Sequence, residues 1–157
     1  MDQRLFVQHS VTVVDEDPLE LLVFNNGRAP DRMFSTVDRV ALVGGTFTQA
    51  TAHGPRVGHA GAFYAHHSSG VRPCRGGGFL VCLGPQGIIF EVDAEGEEVW
   101  RYVSPVEHRG EAAPHGVCAQ GKQRGAGRYG LFFAQKYDAS QVPRLAGLAG
   151  AMRLEDT

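Results

Sequence analysis

The chain has 157 residues, 43% of them hydrophobic and 20% charged, with 17 acidic against 15 basic side chains and a formal charge of −2. That profile fits one domain at most. The balanced charge and a pI near 6.4 exclude a nonspecific nucleic-acid binder, because neutralising a phosphate backbone takes a basic surface. No apolar run reaches the ~20 residues of a membrane-spanning helix, and Met1-Asp2-Gln3-Arg4 does not open a signal peptide.

Twenty-one glycines and eight prolines mark a chain rich in turns. Between them, short runs of Val, Leu, Ile, Phe and Tyr recur with almost no helical periodicity, the pattern of an all-β protein. Taken in order, the sequence predicts strands at Ser10–Val14, Leu19–Phe24, Met33–Leu42, Thr46–Thr51, Gly78–Leu83, Gly87–Asp93, Glu97–Val103 and Tyr129–Tyr137. Turns fall at Asp15-Glu16-Asp17-Pro18, Asn25-Asn26-Gly27, Gly84-Pro85-Gln86-Gly87 and Ala94-Glu95-Gly96, whose residue types supply turn backbone angles. Residues 110–128 read as a Gly-rich insertion loop. Only the end, Pro143 to Glu155, within which 146–157 is a tail, has the composition of a short helix.

An internal repeat is the more informative signal. His9, then Leu22-Val23-Phe24, then Phe34 to Asp38 align with His67, then Leu80-Val81-Cys82, then Phe90 to Asp93, at offsets of 58, 58 and 56 residues. A repeated four-strand unit of this length predicts a partial β-propeller of two to three four-stranded antiparallel blades. The units span about 9–66 and 67–109, with a partial third at 115–145 opening near His115. Natural propellers close with roughly four to eight blades, so the chain is expected to be part of a longer protein or to self-associate.

The side chains that could carry chemistry are few. Cys74, Cys82 and Cys118 have no Cys-x-x-Cys spacing, so no zinc ribbon or disulfide framework follows, and buried thiols are expected, with one disulfide left open. His66 and His67, adjacent on an extended segment, should point to opposite faces. His53 and His59 read as loop residues. A zinc site drawing on His53, His59, His66 and His67 lacks a recurring carboxylate or cysteine, and no metal is expected. Trp100 and Tyr102 alternate along a strand and read as packing between blades. Gly84-Pro85-Gln86-Gly87 lacks the Lys-Ser/Thr of a phosphate loop, which excludes nucleotide binding.

Three separated segments are similar to one family. Phe6-Val7-Gln8-His9, Leu21-Leu22-Val23-Phe24-Asn25-Asn26-Gly27-Arg28 and Phe34-Ser35-Thr36-Val37 resemble its Gln-His start, its "llvfDNG" strand end and its aromatic-Ser-x-Val strand. Gly77-Gly78-Phe79-Leu80-Val81 with Gly84 to Tyr102 and Pro105 resemble its "FEVt.eGe.VWeY..P" blade. Leu131 to Tyr137 with Val142-Pro143-Arg144-Leu145 resemble its terminus. The family is the aryl sulfotransferase β-propellers, and the likeness covers about residues 6–145 as their C-terminal part.

The resemblance implies a funnel of histidines and arginine around a sulfate group, with transfer from one phenol to another through a sulfated histidine, without nucleotide, metal or other cofactor. It implies catalytic roles for His67 and His9, sulfate binding by Arg28, His66 and Arg72, a small phenolic sulfate or phenol as partner, and a periplasmic or secreted full-length protein. Departures are Ser10-Val11-Thr12 where the family often has an asparagine after the histidine, Asn25 in place of Asp, and Arg72 where Gln is frequent. A non-catalytic binding or assembly propeller is the alternative, since Asp93 to Trp100 also loosely resembles the tryptophan-docking repeat of quinoprotein propellers.

Overall fold

The computed structural model describes residues 4–54, 63–105, 130–137 and 141–142. They form two antiparallel four-stranded sheets in simple meander order. The first contains β1 (His9–Glu16), β2 (Leu19–Asn25), β3 (Thr36–Val43) and β4 (Thr46–His53); the second contains β5 (Gly70–Pro73), β6 (Phe79–Leu83), β7 (Ile88–Val92) and β8 (Glu98–Val103). Tight turns set the hairpins. Gly44 and Gly45, at φ +57 and +78, join β3 to β4 with the positive-φ pair that matches strand twist. Between β7 and β8, Asp93 Oδ1 accepts the Glu97 N–H at 2.8 Å. Among the described residues no helix is long and apolar enough to cross a membrane.

The hydrophobic core lies between the sheets. Alternate residues supply it, as the two-residue period of a strand requires: Leu22, Phe24 and Val37 from the first sheet meet Phe79, Val81, Leu83, Ile88, Phe90 and Val92 from the second, with Phe63 and Ala65 wedged in from the connection. His53 ends β4 inside this cluster, its ring 5.3 Å from Phe63, 5.6 Å from Phe90 and 6.2 Å from Phe79. That corrects the expectation of a loop position: pairing with Val37 carries His53 inward. His59 lies outside the described residues.

At their inner edge the first strands of the two sheets run side by side in the same direction. A Cβ on Gly70 would meet Ser10 Oγ at 3.0 Å, Val71 exchanges bonds with the Ser10 and Thr12 hydroxyls, and the Arg72 guanidinium reaches Thr12 Oγ1 and, at 3.4 Å, Ser10 Oγ. At the far end Arg39, ion-paired with Glu20, reaches the Gly77 carbonyl at 3.4 Å.

Several expectations change. The sequence reading has no counterpart to β5, a four-residue strand bounded by Gly70 and Pro73. Met33 to Ser35 precede β3. Phe24 pairs with Val37, and Cys82 with Ile89, so the third correspondence runs at 52 residues instead of 56; residues 26–35 connect β2 to β3, whereas only 84–87 connect β6 to β7. Phe34 therefore sits in a loop and Phe90 in mid-strand.

Residues 130–137 form no regular strand. They cross the outer face of the second sheet, with Arg72 4.8 Å from the Phe133 ring and Lys136 Nζ bonded to Glu91. Trp100 and Tyr102 share that face, rings 6.4 Å apart and nearly parallel, but Trp100 is 49% exposed and outside the core. The proposed third unit's opening, the 110–128 insertion and the tail helix lie outside the described residues.

Candidate functional site

The end of the molecule where β1 and β5 begin gathers most of the polar groups singled out from the sequence. Backbone strain marks it. Among the described residues, four non-glycine residues have positive φ: Val7 (+49), Ser10 (+52), Ser68 (+52) and Ser69 (+76). They flank His9 or follow His67. A β-branched residue at positive φ is a genuine outlier, and such conformations persist only where the surroundings enforce them.

The two histidines open the units with the same local geometry, a His-Ser step whose serine sits at φ +52. Ladder positions differ, however. His9 pairs with Phe24 in β1, while its counterpart opposite Cys82 is Gly70; His67 stands three residues before the strand. The sequence equivalence of His9 and His67 holds for the corner and not for the ladder, because the chain after His67 carries Ser69 in a second left-handed turn.

Asn26 joins the two corners. Its side chain is fully buried. Nδ2 donates to the carbonyl oxygens of Ala65 and Ser68, each at 2.9 Å, while Oδ1 lies 2.8 Å from His9 Nδ1. His9 Nδ1 is also 3.0 Å from the Val7 carbonyl. On the other side, His67 Nδ1 lies 3.0 Å from Ser68 Oγ. Ser35 completes the junction: its Oγ accepts the Ala65 N–H at 2.9 Å and contacts the Asn26 carbonyl. Gly27 makes the arrangement feasible, since at φ +92 a Cβ there would lie 2.3 Å from the Phe34 carbonyl oxygen.

The remaining candidates divide. His66 packs edge-to-face against His67 with centroids 4.1 Å apart, a correction to the expectation of opposite faces: the pair sits in a bend leading to the left-handed serines, not on a strand. Burial, and secondarily the neighbouring His67, hold the His66 pKa below the usual imidazole value. Arg72 joins the corners from β5, its described polar partners being the Ser10 and Thr12 hydroxyls, with no carboxylate among them. Arg28 does not join them. Its guanidinium bonds Asp31 at 3.0 Å on the surface and lies 5.9 Å from the Phe6 ring. No group of three or more His, Cys, Asp or Glu among the described residues is disposed to hold a metal ion.

Sequence reasoning missed Asn26, Ser35 and Ser69. The repeated His-Ser dipeptide at 9–10 and 67–68 was the available signal; the buried role of Asn26 was hidden because Asn before Gly reads first as a turn. Compared with known proteins, the chain matches no family model, no curated protein and no solved structure.

Proposed function

We propose that the chain is a blade-forming segment of an aryl sulfotransferase-like β-propeller, with the corners at His9 and His67 handling the sulfate. Two features support the blade reading. The first strands neighbour each other in parallel, and Leu22 and Phe24 face the core while their 58-residue counterparts Leu80 and Cys82 face away from it. Successive units stacked by rotation about an axis meet through opposite faces in this way.

The observation that carries the chemistry is the pair of strained His-Ser corners at one end of the parallel edge strands, with the Arg72 guanidinium against Ser10 of the first corner and bonded only to hydroxyls among the described residues. A neutral imidazole nitrogen attacks the sulfur of an aryl sulfate, the S–O bond to the phenol breaks, and the phenolate leaves. A second phenol gives up its proton to solvent, matching the one the released phenolate takes up, and attacks the sulfur, and the N–S bond breaks to regenerate the imidazole. Arg72, with the second histidine, offsets charge on the sulfuryl oxygens as the bonds loosen. Arg28, held by Asp31, has no part in this scheme.

The test is transfer from 4-nitrophenyl sulfate to phenol by the full chain, followed by nitrophenolate release, with an alkaline quench and mass analysis of the His9 and His67 peptides. A sulfo adduct on one histidine, lost with the corresponding alanine variant, is expected. Release unchanged in both His9→Ala and His67→Ala overturns the catalytic reading and leaves the binding scaffold.

A further inference from the structure

Two histidines share the corner region, and their ring environments differ in a way that distinguishes their nitrogens. His9 Nδ1 faces two oxygens: the Val7 carbonyl at 3.0 Å, which only accepts, and Asn26 Oδ1 at 2.8 Å. The orientation of the Asn26 amide is fixed by its other end, since Nδ2 lies 2.9 Å from both the Ala65 and Ser68 carbonyl oxygens. Turning the amide over would set Oδ1 against two carbonyl oxygens in a buried site and forfeit both bonds. The side facing His9 is therefore an acceptor, and the imidazole must carry its proton on Nδ1.

We propose that Asn26 is a positioning residue that holds His9 in the Nδ1–H tautomer and so keeps the Nε2 lone pair for the electrophile. A neutral imidazole has one protonated and one unprotonated nitrogen, and the hydrogen bond made by one decides the other. His67 has no comparable constraint in its described contacts: Nδ1 faces Ser68 Oγ, a hydroxyl that donates or accepts with equal ease. Of the two, His9 is the nucleophile and His67 the accessory group. This assignment of roles rests on the sulfotransferase reading, whereas the tautomer follows from the acceptors that face Nδ1, Asn26 Oδ1 and the Val7 carbonyl.

The same residue ties His9 to the second unit. Because Asn26 spans from His9 to Ala65 and Ser68, the segment carrying His66 and His67 can withdraw only by breaking two bonds to a buried amide. Loss of Asn26 thus loosens both the ring and its spacing from the second corner, which predicts a fall in kcat exceeding any rise in KM.

The experiment is nitrogen-15 NMR of the histidine rings in the full chain, with His9 assigned by its absence from His9→Gln. Expected is an Nδ1–H ring for His9 in the unsubstituted protein, an averaged ring in Asn26→Ala, where the exposed Val7 carbonyl alone is left facing Nδ1, and retention of Nδ1–H in Asn26→Asp, whose carboxylate still accepts. An Nε2–H ring for His9 in the unsubstituted protein, or a tautomer unchanged in a folded Asn26→Ala, overturns the proposal. If Asn26→Ala fails to fold, the unsubstituted spectrum alone decides. A kinetic arm with 4-nitrophenyl sulfate keeps the two readings apart: an Nδ1–H ring without transfer supports the role of Asn26 in fixing the tautomer and overturns sulfate transfer. An Nε2–H ring with transfer does the reverse.

Discussion

The corners at His9 and His67 begin with the same dipeptide and the same serine φ, yet the protein supports them differently. His9 belongs to a strand, pairs with Phe24 and is bonded to a buried amide. His67 precedes its strand, touches the next residue's hydroxyl and abuts the exposed His66. One backbone device thus presents two imidazoles of different rigidity. A repeat supplies geometry twice, and the inserted residues around each copy decide what each ring can do.

The largest effect that separates the corners is on transfer itself. His9→Ala should lower kcat by three orders of magnitude or more, about 4 kcal/mol of barrier, and His67→Ala by roughly ten- to a hundredfold; equal losses in steady-state assays would erase the distinction. Stability comes next. Asn26→Ala removes the buried amide that bonds the Ala65 and Ser68 carbonyl oxygens and His9 Nδ1, an expected loss of about 3 kcal/mol in urea unfolding. Ser69→Ala, which removes one hydroxyl accepting the Gly84 N–H at 3.0 Å, should cost about 1 kcal/mol.

A subtler difference lies in the strained serines. Ser68→Gly relieves a left-handed backbone, and its hydroxyl bonds only the neighbouring His67 among the described contacts, so a gain of about 0.5 kcal/mol is expected after glycine's added chain entropy. Ser10→Gly forfeits the bonds to Val71 and Arg72 and should show none; the same gain in both would mean that the Ser10 bonds contribute nothing.

The smallest effect is with pH. The His66 pKa is lowered in the folded chain, so the unfolded chain binds more protons near and below the ordinary imidazole value of about 6.5, and stability falls as pH drops through that value toward the folded one. The largely exposed ring makes the change slight. A His66→Gln variant should flatten it, and an unchanged pH profile would assign the slope elsewhere.

The chain pattern made most strands and the meander legible, because the largely apolar runs Leu19 to Phe24, Phe79 to Leu83 and Ile88 to Val92 lie between turn residues; which members turn inward was not legible, since Leu21 to Phe24 and Phe79 to Leu83 are apolar throughout. β5 was not legible, since Gly-Val-Arg-Pro between a bend and a Gly-rich turn offers just one apolar residue, and its partner strand supplies the rest of its definition. The neighbourhood was partly legible: Asn26 ties His9 to the segment that carries His67, and Arg72 reaches Ser10 beside His9, whereas Arg28, equally basic in sequence, is taken by an aspartate three residues on. Asn26 could not be found from pattern, because its role depends on carbonyls 39 and 42 residues away.

Cys82 lies on the face of the second sheet turned away from the core, 2% exposed, on the side that residues 130–137 cross. Burial pushes its thiol up to about 11, so at pH 8 about one thiol in a thousand is ionised even where reagent can reach it. Alkylation of Cys82 therefore serves as a clock. Its rate reports how often the protein around Cys82 opens, and a molecule or a further sheet that settles over Trp100 and Leu80 should slow that clock without touching a single histidine.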